Sequence, residues 1–159
     1  MSFLRYLMLL SLVVWLGGLI FFSFVLAPTV FTVLPTRHLA GNVVSRSLSA
    51  LHWMGIVSGI IFLMCSMIYA RLTSGALHPF AGRHVLLYLM LALTVISQFG
   101  ISPKMATLRA SMGEIDTVAL DHPARMQFDA LHVWSTRLEG GVFFLGLALV
   151  YLTAQALKA

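Results

Sequence analysis

Charged side chains are scarce in this sequence. Only 9% of its 159 residues are Asp, Glu, Lys or Arg, whereas soluble globular domains carry about a quarter. Hydrophobic residues make up 60% of the chain, and the mean hydropathy is +0.96. This composition excludes an ordinary soluble domain and predicts an integral membrane protein. The length fits a single domain, residues 1–159.

Cysteine and the motifs of soluble enzymes are also lacking. The single cysteine, Cys65, lies within an apolar run, so there is no disulfide framework. The sequence has no glycine-rich phosphate-binding loop, nucleophile elbow or HExxH motif, so any enzymatic activity would come from a bound cofactor. The net charge of +5 is dispersed between apolar runs. It therefore indicates contact with anionic lipid headgroups in a bilayer and predicts no nucleic-acid partner.

Four long apolar segments are present, and they predict helices at about residues 4–34, 48–72, 84–109 and 126–157. Each reaches or approaches the ~20 residues that cross a hydrocarbon core of ~30 Å. Within lipid such segments must be helical, because an isolated strand cannot satisfy its backbone hydrogen bonds. The sequence thus predicts an all-α, four-helix transmembrane bundle, multi-pass, with both termini on the same side. In a bacterium, the inner membrane would be its expected location.

A short repeat relates the second and fourth predicted helices. The tripeptide Ala-Leu-His ends at His52 in one and at His132 in the other. The repeat suggests two helical hairpins related by a pseudo-two-fold axis along the membrane normal. It also places the two histidines at similar depth, because both helices enter from the same side. The polar sequence at that end of the bundle makes it the expected location of any chemistry.

Helical periodicity indicates where these histidines point. His52 shares a face with Gly55 and Gly59, a GxxxG pattern that favours a close helix contact. His132 shares a face with Ser135 and Glu139. Small or polar faces of this kind are expected to turn towards the bundle interior, where ionisable groups are functional candidates.

The two histidines are therefore candidate ligands for a shared cofactor. Imidazole suits transition metals, and opposed histidines hold haem b from both axial sides. Arg137 would then pair with a haem propionate. The alternative interpretation is that each histidine bonds a neighbouring helix or interfacial water. Glu139 needs a cationic partner, a metal or a proton in this setting. The sequence offers Arg37, Lys104 and Arg109 from the same side, and an interhelical ion pair and a proton-relay role are the two interpretations. The remaining histidines, in predicted loops or at helix ends, are expected to be solvated: His38, His78, His84 and His122.

Several stretches carry a family resemblance. The first helix contains the run from Trp15 to Phe31 that begins Trp-Leu-Gly-Gly, and further matching elements follow: Ala40-Gly41, Pro103-Lys104-Met105 and Phe128-Asp129-Ala130-Leu131-His132-Val133-Trp134-Ser135. The chain resembles an uncharacterised family of four-helix membrane proteins related to the cisplatin-resistance-associated transmembrane proteins. It resembles more distantly the copper-resistance D proteins and the haem-binding membrane protoporphyrinogen oxidases. The resemblance implies mainly the fold. It also implies that Trp15, Gly17 and Gly18 line a closely packed interior in which the glycines accommodate a flat ligand.

Three functions remain open at this point. The leading hypothesis is a membrane protein that binds haem b or a transition metal through His52 and His132, for electron transfer, sensing or haem handling. The second is a copper or drug tolerance or transport factor. The third is a cofactor-free structural or assembly subunit, as a homo-oligomer or with a partner membrane subunit.

Overall fold

Four helices account for most of the chain in the computed structural model, which describes residues 2–77 and 79–156. They are α1 (Ser2–Val33), α2 (Arg37–Ser74), α3 (Gly82–Met112) and α4 (Pro123–Ala156). All four are long and apolar enough to cross a membrane, and the described residues contain no strand. The predicted all-α, four-helix architecture is confirmed. His78 and residue 157, for which predictions were made, lie outside the described residues.

Helix α2 begins well before the start that its apolar run predicts. Its first residue is Arg37 rather than a residue near 48, and the side chain of Thr36 caps it by accepting a hydrogen bond from the Leu39 N–H (3.2 Å). The polar segment expected to be a loop is thus helical and adds roughly 16 Å at 1.5 Å per residue. Helix α2 ends at Ser74 and is followed by Gly75, which has the left-handed φ of 70° that favours glycine.

Two helices contain a π-helical turn at corresponding places. The π turns are Phe22–Leu26 in α1 and Ile96–Ile101 in α3, and Pro28 and Pro103 follow them at the same spacing. Proline has no N–H and clashes with the carbonyl four residues before it, so a widened turn relieves both problems. In each case the residue after the π turn donates its N–H to a carbonyl five residues back. The matching turns are a second similarity between the hairpins, although the pseudo-two-fold axis stays a prediction.

The GxxxG pattern of α2 makes room for a tryptophan of α1. Trp15 is only 2% exposed, and a methyl group added at Gly55 would overlap its indole ring. A methyl group at Gly59 would lie 3.0 Å from the same ring and 2.8 Å from Leu91 of α3. The predicted close helix contact at both glycines is therefore confirmed. The ring, rather than the backbone of the neighbouring helix, fills the space that the glycines leave.

The two glycines of α1 have different surroundings. Gly18 faces α2, where the side chains of Met54 and Leu51 occupy the space beside it. Gly17 is exposed, and a Cβ atom there would meet nothing within 4 Å. Gly17 thus lies on the outer surface rather than in the interior, and Met54 fills the space at Gly18 that was expected to accommodate a flat ligand.

Candidate functional site

A cavity of about 650 Å³ lies at the end of the bundle where α1 and α3 end and α2 and α4 begin. This volume is within the range of small-molecule sites, about 300–1,000 Å³. The π turn of α1 and the residues after it form an apolar wall: Phe22, Ala27, Pro28 and Phe31. Apolar side chains from the other helices extend it: Val44, Leu48, Met105 and Phe128. The cavity is at the end of the bundle where the polar sequence predicted a site.

The charged side chains of the cavity are mainly basic. Its lining includes three arginines, two histidines and two carboxylates: Arg37, Arg109, Arg125, His38, His132, Asp129 and Glu139. Arg109 donates from Nη1 to the Gly41 carbonyl (2.9 Å), and its guanidinium lies 5.3 Å from the ring centroid of Phe128. Because a Cβ atom at Gly41 would come within 3.2 Å of that guanidinium, the absence of a side chain there leaves space for Arg109.

Arg125 is held by the connection between α3 and α4. Its Nη1 donates to the carbonyls of Ile115 (3.0 Å) and Val118, and its Nε is buried without a partner in the described part of the chain. The ion pairs among the described residues are Arg37–Asp116 (3.7 Å) and a histidine–carboxylate pair. Arg109 and Arg125 thus have no carboxylate within ion-pair distance among the described residues.

A chain of hydrogen bonds, the polar network, lies next to this cavity and joins three helices. His52 is 1% exposed; its Nδ1 lies 2.9 Å from the side-chain oxygen of Gln98, and its Nε2 lies 2.6 Å from Glu139 Oε1. The Gln98 amide nitrogen donates to the Ser49 hydroxyl (2.9 Å), and the Ser97 hydroxyl donates to Glu139 (3.3 Å). Ser97 and Gln98 both belong to the π turn of α3, and π turns are frequent at functional sites.

The geometry of this network requires a proton between His52 and Glu139. An imidazole nitrogen and a carboxylate oxygen both carry lone pairs, so a separation of 2.6 Å needs a hydrogen between them. With Gln98 oriented so that its nitrogen donates to Ser49, its oxygen accepts from Nδ1. The hydrogen between His52 and Glu139 belongs either to the ring, as an imidazolium facing a carboxylate, or to a carboxylic acid facing a neutral ring, and the pair carries no net charge in either form.

The structure brings His52 together with Glu139 and not with His132. His52 does not line the cavity; His132 does, with an exposed side chain whose ring has no partner among the described residues. The early start of α2 explains this: His52 lies about four turns after Arg37, whereas His132 lies about two and a half turns into α4. Glu139 lies about four turns into α4, at the depth of His52.

Glu139 connects the polar network with the cavity. Its side chain is 13% exposed, and it lines the cavity together with the buried Ser135. The prediction of a lysine or arginine partner for this carboxylate is wrong, because its ion-pair partner is His52. Arg109, one of the expected partners, bonds the Gly41 carbonyl instead.

Arg137 was predicted to face a propionate, but it does not line the cavity. Its side chain is exposed, and its guanidinium lies 5.4 Å from the ring centroid of Trp134, one turn earlier on the same helix. It lies two positions before the inward-facing Glu139, so the two side chains leave α4 in different directions.

Sequence reasoning missed Gln98 and misplaced His84. A glutamine within an apolar span, five residues before Pro103, was the available signal for Gln98. His84 was expected to be solvated but is fully buried, with its Nε2 2.8 Å from the Ser66 hydroxyl. Throughout residues 2–77 and 79–156, no three His, Cys, Asp or Glu side chains are grouped as metal ligands would be.

The comparisons with known proteins identify a family but no relative of known activity. Neither the curated proteins nor the solved structures include a match to this chain. A family model matches residues 10–114, which include most of α1, all of α2 and α3, and with them His52, Ser97 and Gln98. The chain belongs to the family described as a domain of unknown function, DUF4149.

Proposed function

We propose that this protein is a multi-pass membrane protein that binds an amphipathic anion in the cavity. The apolar part of the ligand would lie along the wall formed by α1, and its anionic group would meet Arg109 and Arg125. The observation that carries the proposal is the pair of arginines without carboxylates in ion-pair distance, in a cavity that has an apolar wall along α1. Both termini would be on the same side of the membrane, and in a bacterium this would be the inner membrane.

Arginine suits this role because of its geometry and permanent charge. Its planar guanidinium can donate two parallel hydrogen bonds to a carboxylate or phosphate. Each hydrogen bond to a charged group contributes about 1.5–3 kcal/mol. A cavity at one end of a bundle of apolar helices also suits a molecule that partitions into the bilayer surface.

Haem b is one member of this ligand class, since it combines a flat apolar ring with carboxylates. The residues that fit it are His132, whose ring nitrogens are free of partners among the described residues, and Arg109 and Arg125 for the propionates. Bound iron would supply one-electron chemistry. Ligation by both His52 and His132 would require His52 to give up Gln98 or Glu139. The resemblance to haem-binding membrane oxidases supports testing this ligand first among the cofactors.

The resemblance to cisplatin-resistance-associated and copper-resistance D proteins keeps metal or drug tolerance as the alternative. A cofactor-free assembly subunit is the third. Neither alternative has a contact among the described residues that favours it over anion binding. The experiment is therefore designed to detect both.

The experiment measures ligand binding to the purified protein in a neutral maltoside detergent. The probe is dihexanoyl phosphatidylglycerol, and dihexanoyl phosphatidylcholine, with the same chains and no net charge, is the control. We expect the anionic lipid to bind more tightly and to raise the unfolding temperature. R109Q and R125Q should each weaken its binding about tenfold, which corresponds to about 1.4 kcal/mol. R46Q, which removes an exposed arginine outside the cavity, is the matched control. Equal affinity for both lipids would overturn the proposal.

Two further titrations separate the alternatives. Hemin that binds in the cavity should give a Soret band that H132A abolishes or shifts, whereas H122Q, at an exposed helix cap, should leave it unchanged. Stoichiometric copper retained without binding of either anion would support the metal-tolerance alternative. Binding of none of these probes would favour the assembly subunit.

A further inference from the structure

We infer that His52 and Glu139 form a proton-binding site that controls the affinity of the cavity for an anion. This inference rests on the proposed function, since it concerns the same cavity. It identifies a second ligand, a proton, and it assigns a role to buried groups that anion binding alone does not use.

The contact between His52 and Glu139 holds a proton. Because Nε2 of His52 and Oε1 of Glu139 are 2.6 Å apart, the pair holds one proton for as long as the contact lasts. Loss of that proton leaves two lone pairs facing each other. The carboxylate would then separate from the ring and turn to its open side, which is the cavity.

The charge at the cavity wall depends on whether this proton is bound. With the proton bound, the pair is neutral overall, whether the proton is on the imidazole or on the carboxyl group. Without the proton, the pair carries one negative charge at the cavity wall, where Glu139 is 13% exposed on its side chain. Glu139 lies 14 positions after Arg125 on α4, about 21 Å along the helix. The charge therefore repels an anion held by Arg109 and Arg125 across the length of the cavity rather than by direct contact.

Other charged groups also face the cavity, and any test must separate them. Helices α2, α3 and α4 contribute them: Arg37, His38, Arg109, Arg125, Asp129 and His132. The part of α1 that lines the cavity contributes no titratable side chain. None of these groups forms the buried contact with His52, which only Glu139 and Gln98 make among the described residues.

The π turn of α3 is what positions the histidine. Gln98 accepts from Nδ1 and is itself bound to Ser49, while Ser97 donates to Glu139. These contacts hold the ring with Nε2 directed at the carboxylate. Ser97 and Gln98 are positioning residues, and the proton resides on His52 and Glu139.

Thermodynamic linkage determines whether the affinity for the anion rises or falls with pH. An anion that prefers the protonated pair promotes proton uptake, and a bound proton tightens anion binding by the same factor. The affinity for an anion should therefore fall as the pH rises through the range in which the pair loses its proton. Couplings of this kind typically change affinity by about 5- to 150-fold.

The test measures the affinity for dihexanoyl phosphatidylglycerol across about pH 5 to pH 9, a range in which a phosphodiester keeps its charge and histidine titrates. Wild-type protein should lose affinity at the upper end by about fivefold, near the lower end of the coupling range above, because the charge and the anion are far apart. E139Q, which cannot carry the negative charge, should bind with an affinity that changes little with pH. H38Q and H132Q remove the other imidazoles of the cavity and should retain the decrease.

A second measurement needs no ligand. Nitrogen-15 spectra of labelled histidine, with His52 assigned by its loss in H52Q, should show both ring nitrogens protonated in wild type at low pH. E139D, which shortens the side chain, should release that proton at lower pH than wild type does. A pH dependence of anion binding that persists unchanged in E139Q, or a His52 ring whose protonation follows the same pH dependence in wild type and E139D, would overturn the proton site but not the anion site. Failure of the wild type to bind the anionic lipid at any pH would overturn both.

Discussion

The Nε2 atom of His52 lies 2.6 Å from the Oε1 atom of Glu139, and this contact ties α2 to α4 across the interior of the bundle. Each partner is costly to bury alone, because an ionised group removed from water needs a compensating charge or hydrogen bonds. Here Gln98 and Ser97 satisfy remaining positions on the ring and the carboxylate. The pair therefore affects the stability of the bundle as well as the charge at the cavity.

The effect on stability is measurable by a double-mutant cycle. H52L alone leaves the Glu139 carboxylate without its imidazole partner. E139L alone leaves the buried imidazole of His52 without its carboxylate partner. We expect each single variant to lose about 3–5 kcal/mol, the cost of breaking a buried pair, while H52L/E139L loses less than the sum and regains part of the loss. Reversible unfolding in mixed micelles supplies the free energies. Strictly additive losses would show that the two side chains do not interact.

A glycine pair provides the second prediction. A methyl group at Gly55 overlaps the Trp15 indole, which is held in the core, whereas a methyl group at Gly17 meets nothing. We expect G55A to destabilise the protein by about 1–3 kcal/mol through overpacking. G17A should be neutral or stabilise it by up to about 1 kcal/mol through helix propensity. Thermal unfolding of both variants checks the contrast, and equal effects would contradict the packing of Trp15 on α2.

The number of helices was predictable because segments that span lipid are recognisable in the sequence as long apolar runs. The depth of His52 in the bundle was not predictable. Helix α2 starts at Arg37, in a polar segment that resembles a loop by composition. Helical structure there depends on the Thr36 cap and on packing against neighbouring helices, neither of which alters hydropathy. An error of about three turns in the helix start was enough to suggest the wrong partner for the histidine.

The polar network was harder still to foresee. Helical periodicity assigns directions on the assumption of regular α-helix, and a π turn shifts the face on which later residues lie. Ser97 and Gln98 stand in such a turn. Pro28 and Pro103 were visible in the sequence, but a proline is equally compatible with a kink or a helix end. Only the packed bundle distinguishes these outcomes.

The third prediction concerns Arg137, which the sequence predicted to face a ligand and which lies outside the cavity. Because it is exposed and stacks on Trp134 outside the cavity, we expect R137Q to bind dihexanoyl phosphatidylglycerol as tightly as wild type. The stacking contributes about 0.5–1 kcal/mol at an exposed site, so stability should fall by no more than that. A calorimetric titration beside R109Q gives the comparison. Loss of affinity in R137Q as large as that in R109Q would move the anion site away from the cavity.

The last prediction concerns the space that Gly41 leaves for Arg109. The guanidinium lies where a side chain at position 41 would project, 3.2 Å from the Cβ position, while also bonding the Gly41 carbonyl. A methyl group could be accommodated by a small shift of the flexible arginine, but a branched side chain could not. We therefore expect G41L to displace Arg109 and to weaken binding of the anionic lipid about tenfold, the loss of one charge-assisted contact.

The matched control is G17L, which adds the same side chain where nothing lies within 4 Å. It should leave both affinity and stability close to those of wild type. In G41L, binding of dihexanoyl phosphatidylcholine should change little, because the zwitterion does not depend on the arginine. If G41L lost both lipids equally, the substitution would have blocked the cavity rather than moved the charge, and R109Q would then decide whether Arg109 holds the anion. Unchanged affinity in both G41L and R109Q would remove Arg109 from the site.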